Sequence, residues 1–132
     1  MRLLSIVLLL MSSSCFAQNS AQYDACNEKA QVQSEINRCA SDEAARVDAE
    51  LNTVYRTLLQ QVKRPAYVAK IKAAERAWVV YRDAYIDATY PATDKQSEYG
   101  TIFPMEVNML RATLTRRQIE ALREMMQTYK GD

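Results

Sequence analysis

The chain offers little reactive chemistry, and what it offers is oxidative. Its 132 residues include no histidine and three cysteines, Cys15, Cys26 and Cys39. Without histidine there is no Ser-His-Asp or Cys-His relay and no histidine-ligated metal. Glycine occurs only at Gly100 and Gly131, too sparse for a phosphate-cradling loop or a turn-rich β fold. Carboxylate pairs and a disulfide remain. Sixteen Asp and Glu residues on a small chain form pairs by chance and read as solvated faces. No two are set apart as an acid–base couple, and so small a helical chain seldom builds a deep cleft. The sequence therefore assigns no catalytic residue, no metal ligand and no cofactor site. Cys26 and Cys39, thirteen positions apart, are left to pair whatever the fate of Cys15. Closing that loop contributes about 3 kcal/mol by the chain-entropy relation.

The amino end says where such a bond persists. Met1-Arg2 gives a basic start, Leu3 to Met11 is apolar apart from Ser5, and Cys15-Phe16-Ala17 resembles a signal-peptidase site. We expect a signal peptide at 1–17, cleavage before Gln18 and a mature domain at 18–132. The apolar run is too short for a transmembrane helix. A second reading takes Ser12-Ser13-Ser14-Cys15 as a lipoprotein site, with Cys15 acylated. Both readings send the chain across the inner membrane into an oxidising compartment, the periplasm, where disulfides persist. Removing Arg2 from 17 basic residues leaves 16 against 16 acidic ones. Zero net charge gives no pull toward nucleic acid or anionic membrane.

Helices must position everything else. From Ser34 to Val62 the apolar residues Ile36, Ala40, Ala44, Val47, Leu51, Val54, Leu58 and Val62 recur at three and four, one stripe of a long helix. Lys63-Arg64-Pro65 ends it. A second helix is expected from Ala66 to Ala88, where Ile71, Trp78 and Tyr85, with Ala74, Tyr81 and Ala88, form a heptad-like seam. Thr89–Phe103 loses the period and reads as a loop. A last helix runs from Pro104 to Lys130, with Val107, Leu110, Leu114, Ala121, Met125 and Tyr129 inward, ended by Gly131. A short helix at Ala21–Ala30, marginal alone, is pinned by the cysteine pair. The expectation is an all-α fold, a small antiparallel helical bundle of one short and three long helices with one disulfide, Cys26–Cys39.

Five stretches stand out in order along the chain. Glu35-Ile36-Asn37-Arg38-Cys39-Ala40 has the form E-x-N-x-C-A, and Asp48-Ala49-Glu50-Leu51-Asn52-Thr53-Val54-Tyr55 the form D-x-E-L-N-x-x-Y. Trp78-Val79-Val80-Tyr81-Arg82-Asp83 has the form W-x-x-Y-R-D. Gly100-Thr101-Ile102-Phe103-Pro104 and Leu114-Thr115-Arg116 have the forms G-x-x-(Y/F)-P and L-T-R. Together they resemble the signatures of the LprI-like lysozyme-inhibitor domain family. Many members carry a further cysteine pair at places that fall here on Tyr85 and Leu110, and a second arginine after L-T-R falls on Gln118. The resemblance implies an exported helical protein, some of whose relatives inhibit lysozyme.

The signature residues Asp48, Leu51, Asn52, Tyr55, Trp78, Tyr81, Arg82 and Asp83 are read as structural. Asp48, Asn52 and Arg82 are placed to clamp neighbouring helices through hydrogen bonds, with ligand binding as the other reading. Trp78 and Tyr81 are placed in the core and not on a sugar-stacking platform, with Tyr55 at the edge. The 89–103 loop is the candidate partner-binding segment: Tyr90 and Tyr99 are its anchors, Asp94 and Glu98 its carboxylates. Its other reading is a spacer whose tyrosines pack back. Two functions follow, an inhibitor that occupies the lysozyme cleft, or a non-enzymatic envelope module binding another protein or a cell-wall fragment. An acidic face around 89–103 favours the first, an evenly mixed one the second.

Overall fold

The computed structural model describes residues 19–130. The expected signal peptide and Cys15 lie outside the described residues. Five α-helices follow in order: α1 (Ala21–Lys29), α2 (Gln33–Gln61), α3 (Pro65–Thr89), α4 (Lys95–Tyr99) and α5 (Phe103–Thr128), with a 3-10 turn at Gly100–Ile102 before α5. The fold is all-α, with no strand among the described residues.

Local chemistry sets the ends. Ser20 caps α1, its hydroxyl accepting from the Tyr23 amide at 3.1 Å. Pro65 opens α3. The Lys63 ammonium donates to the Gln60 carbonyl at 3.2 Å, a cation on the unsatisfied end of α2 as its sequence suggested. Gly100 takes φ +70°, a left-handed turn that suits glycine, between α4 and the 3-10 turn.

Contacts advance together along α2 and α5: Asn37 with Thr101, Glu43 with Arg116, Gln61 with Met126. These two helices therefore run parallel and make the principal interface. α3 returns between their ends, antiparallel to α5, with Tyr67 beside Tyr129 at one end and Tyr90 against Phe103 at the other. α1 runs antiparallel to α2, tied by the Cys26–Cys39 disulfide with 5.7 Å between α-carbons. The main core joins Val47, Leu51, Leu58 and Val62 of the α2 stripe to Ile71, Ala112, Ile119 and Leu122. A smaller core under α1 holds Tyr23, Cys39 and Ala40, flanked by Met105 and Met109.

Three expectations are corrected. The heptad seam of α3 is rotated: Ile71 is buried and Trp78 half-buried, but Tyr81 is 56 % exposed, Tyr85 41 % exposed, and Ala74 and Ala88 face solvent. The inward face runs instead through Ile71, Glu75, Trp78, Arg82 and Ile86, because Glu75 and Arg82 find polar partners there. On α5, Ala121 is exposed, while Ala112, Thr115, Ile119 and Leu122 are buried. The 89–103 segment is not a plain loop: α4 and the 3-10 turn occupy most of it. α4, with five residues, is too short to show a period.

Candidate functional site

Where α2, α3 and α5 meet, the signature residues form a polar cluster at the edge of the core. The Arg82 guanidinium lies 3.7 Å from Asp48 and 2.9 Å from Asp83, and stacks over the Trp78 ring at 5.3 Å. The Thr115 hydroxyl donates to Asp48 at 3.4 Å. Asn52 stays exposed outside this group, so the clamp is Asp48, Arg82 and Thr115 instead of Asp48, Asn52 and Arg82. Leu51 is in the core, and Tyr55 and Trp78 pack against it. Burial raises the Tyr55 phenol, helped by the nearby Glu75 carboxylate. Glu75 accepts from the Gln118 amide at 2.7 Å. Its carboxyl is held above the usual range because burial outweighs that hydrogen bond and the attraction of Arg82.

A second cluster involves a residue the sequence reading did not single out. Glu43 is 0 % exposed. One carboxylate oxygen accepts from the Ser20 amide at 2.9 Å and from Arg116, the other from the Ser20 hydroxyl and from Arg46 at 2.7 Å. Burial pushes its carboxyl up, but the Ser20 and Arg46 hydrogen bonds and the Arg116 charge outweigh it, so it stays below the usual range. A groove of about 350 Å³ opens beside it, walled by Ser20, Gln22, Arg46, Glu50 and Arg116. The visible signal was Glu43 standing on the apolar stripe between Ala40 and Val47. A carboxylate there must have buried partners.

These contacts give the signatures physical meaning. In E-x-N-x-C-A, Glu35 accepts from the Gln31 amide at 2.7 Å, Asn37 donates to the Thr101 carbonyl at 2.9 Å, Cys39 makes the disulfide and Ala40 is fully buried. In L-T-R, Leu114 is buried, Thr115 meets Asp48 and Arg116 meets Glu43. Each of these contacts ties one helix to another or to its own cap.

In the α3–α5 connection, Tyr90, Tyr99 and Phe103 form a three-ring cluster with centroids 5.2 to 5.5 Å apart. The Tyr99 hydroxyl accepts from the Ala92 amide at 3.1 Å. The two tyrosines pack against each other and against Phe103 of α5. Burial raises the Tyr90 phenol, aided by Glu106. Asp94 caps α4, accepting from the Ser97 amide at 3.0 Å, and Glu98 is exposed. Lys95 is held by Asp87 at 3.0 Å and by the Tyr90 carbonyl. Between Arg82 and Glu106 stand five carboxylates, Asp83, Asp87, Asp94, Glu98 and Glu106, against two cations, Arg82 paired with Asp83 and Lys95 paired with Asp87. This corner is acidic although the domain as a whole is neutral.

The signatures and their order along a disulfide-tied helical fold define a class of small all-α domains. The family described as Lysozyme inhibitor LprI matches residues 24–122, and the chain belongs to it. The chain is also 29 % identical over 143 residues to an uncharacterized protein of Rhizobium meliloti (strain 1021), covering 99 % of this chain and 100 % of that one. No solved structure matches the chain. No described helix is long and apolar enough to cross a membrane.

Proposed function

We propose that residues 1–17 are removed on export and that the remaining domain is a periplasmic lysozyme inhibitor acting by protein–protein contact without chemistry of its own. Membership of an inhibitor family supports the general role. The observation that carries the finer reading is the acidic corner. Lysozymes act on sugar polymers through clefts rich in hydrogen-bond donors, and basic lysozymes are steered toward carboxylates. Asp94 and Glu98 are exposed on α4, which the three-ring cluster holds in place, so little ordering is left to be done on binding. Tyr90 and Tyr99 serve as that support.

The test is lysozyme turnover with purified mature protein and with the double variant Asp94→Asn, Glu98→Gln. Asparagine retains the α4 cap while losing the charge. Inhibition near stoichiometric concentration, weakened at least about tenfold by the double variant with an unchanged melting temperature, supports the reading. Undiminished inhibition by the variant removes the corner from the interface. No inhibition at high excess against several lysozyme types transfers the domain to the envelope-module reading.

A further inference from the structure

α3 is the least covered long helix. Only Ile71 and Ile86 of its 25 residues are buried. Of the six large hydrophobics that are exposed among the described residues, Val79, Val80, Tyr81 and Tyr85 all lie on it. Opposite the inward line runs an outer line, Ala73, Ala77, Val80 and Ala84, at spacings of four, three and four, with Val80 70 % exposed. That is a coiled-coil stripe with no helix against it among the described residues. Its small side chains let another helix approach closely.

The charges beside the stripe identify the occupant. Exposed Lys70, Lys72 and Arg76 lie toward the amino end of α3, and exposed Asp83 and Asp87 toward its carboxyl end. A face that changes sign along its length is complementary to its own reversed copy. A uniformly basic or acidic partner would be repelled by one half. The register closes. An antiparallel pairing centred between Trp78 and Val79 sets Ala77 against Val80 and Ala73 against Ala84 of a second copy. The next layer sets Lys70 against Asp87. On one flank Arg76 meets Asp83, and on the other Tyr81 covers Ala74. Each pairing occurs twice by the two-fold symmetry, over about 25 Å of helix.

We propose that the protein forms a reversible homodimer through antiparallel pairing of α3 with α3 of a second copy. So narrow a stripe buries less than roughly 1,200 Å², the range of weak, reversible interfaces. Asp83 already accepts from Arg82 and Asp87 from Lys95. Both are more than half exposed and retain oxygen surface for a second cation.

Sedimentation equilibrium of the mature protein tests this, with circular dichroism to check that each variant is folded. A monomer–dimer equilibrium is expected at about 10–100 μM, the micromolar range of weak interfaces, weakening as salt rises. Val80→Arg, Arg76→Glu and Asp83→Lys should each raise the dissociation constant at least about tenfold, because each puts unpaired or like charge at the seam. The combined Arg76→Glu, Asp83→Lys chain should regain the dimer. The two single charge variants, mixed, should associate with each other though neither does so alone. A wild type that stays monomeric at low salt and several hundred micromolar overturns the proposal, as does a dimer indifferent to these changes. A monomer whose lysozyme inhibition is lost in Val80→Arg also overturns it, giving the face to the enzyme. Sedimentation is measured without lysozyme, so absence of the dimer and failure of the inhibitor reading are separable.

Discussion

Replacing Glu43 by alanine is the sharpest perturbation this fold offers. Its carboxylate is fully buried and receives Ser20, Arg46 and Arg116 together. In its absence Arg116, only 15 % exposed, loses its counter-charge, and its Nη1 already has no hydrogen-bond partner among the described residues. Breaking a buried pair from one side costs about 3–5 kcal/mol. Arg46 is 39 % exposed and can be solvated, so we take the lower end, about 3 kcal/mol. For a domain of this size that is roughly 10–15 °C in melting temperature, read by circular dichroism. Adding Arg116→Ala should recover part of the loss, because the orphaned cation goes too, and the cycle should show a coupling of about 1–3 kcal/mol. The pH dependence has a definite sign. The folded carboxyl lies below its usual value of 4.5, so its contribution is complete above that value and lost as pH falls through the folded pKa. The gap between wild type and Glu43→Ala should narrow on acidification. A melting shift below about 3 °C, or strict additivity in the cycle, refutes the reasoning on buried-pair energetics.

Two further perturbations bear on the amino end and on the α3–α5 contact. Reducing the disulfide, or replacing Cys26 and Cys39 by serine, should cost about 3 kcal/mol and raise hydrogen exchange chiefly in α1, whose sole buried residue is Tyr23; a melting temperature unmoved by reductant contradicts it. Gln118→Arg should raise the melting temperature by a few degrees at neutral pH, by giving the half-buried Glu75 a charged donor in place of a neutral one. Wild-type Glu75 titrates above its usual value, so in the wild type stability from this group falls as pH rises through it. With arginine opposite, the sign should reverse, and an unchanged pH profile would show that Gln118 and Glu75 are not coupled.

The helices were legible where apolar spacing alone decides them. The α2 stripe reads directly because Ala44, Val47, Leu51 and Leu58 are all buried as spaced. α3 misleads because two of its inward positions are Glu75 and Arg82. Hydrophobicity counts them outward, while Gln118 and Asp48 make inward placement favourable. Thr115 misleads on α5 for the same reason. The disulfide followed from elimination, and the Asp48–Arg82 contact from flanking positions on neighbouring helices. Glu43 stood visibly on the apolar stripe with Arg46 three residues on, but its other partners, Ser20 and Arg116, lie 23 and 73 residues away, and spacing does not say which distant residues meet it. The acidic corner was visible in the letters between Asp83 and Glu106, but what its tyrosines do depended on ring packing that no spacing encodes.

The parallel pairing of α2 with α5 also bears on the order of assembly. Because the two helices run parallel, the hydrogen bonds across their interface join residues 64 to 73 apart in sequence, and closing such a loop costs roughly 4 kcal/mol of chain entropy. Helical domains usually fold quickly through neighbours in sequence; here the neighbour, α3, buries little. The stripe of α2 must therefore wait, unsheltered, until the final quarter of the polypeptide has been made, and the rate of collapse should respond to changes in Ile119 or Leu122 far more than to changes anywhere on α3.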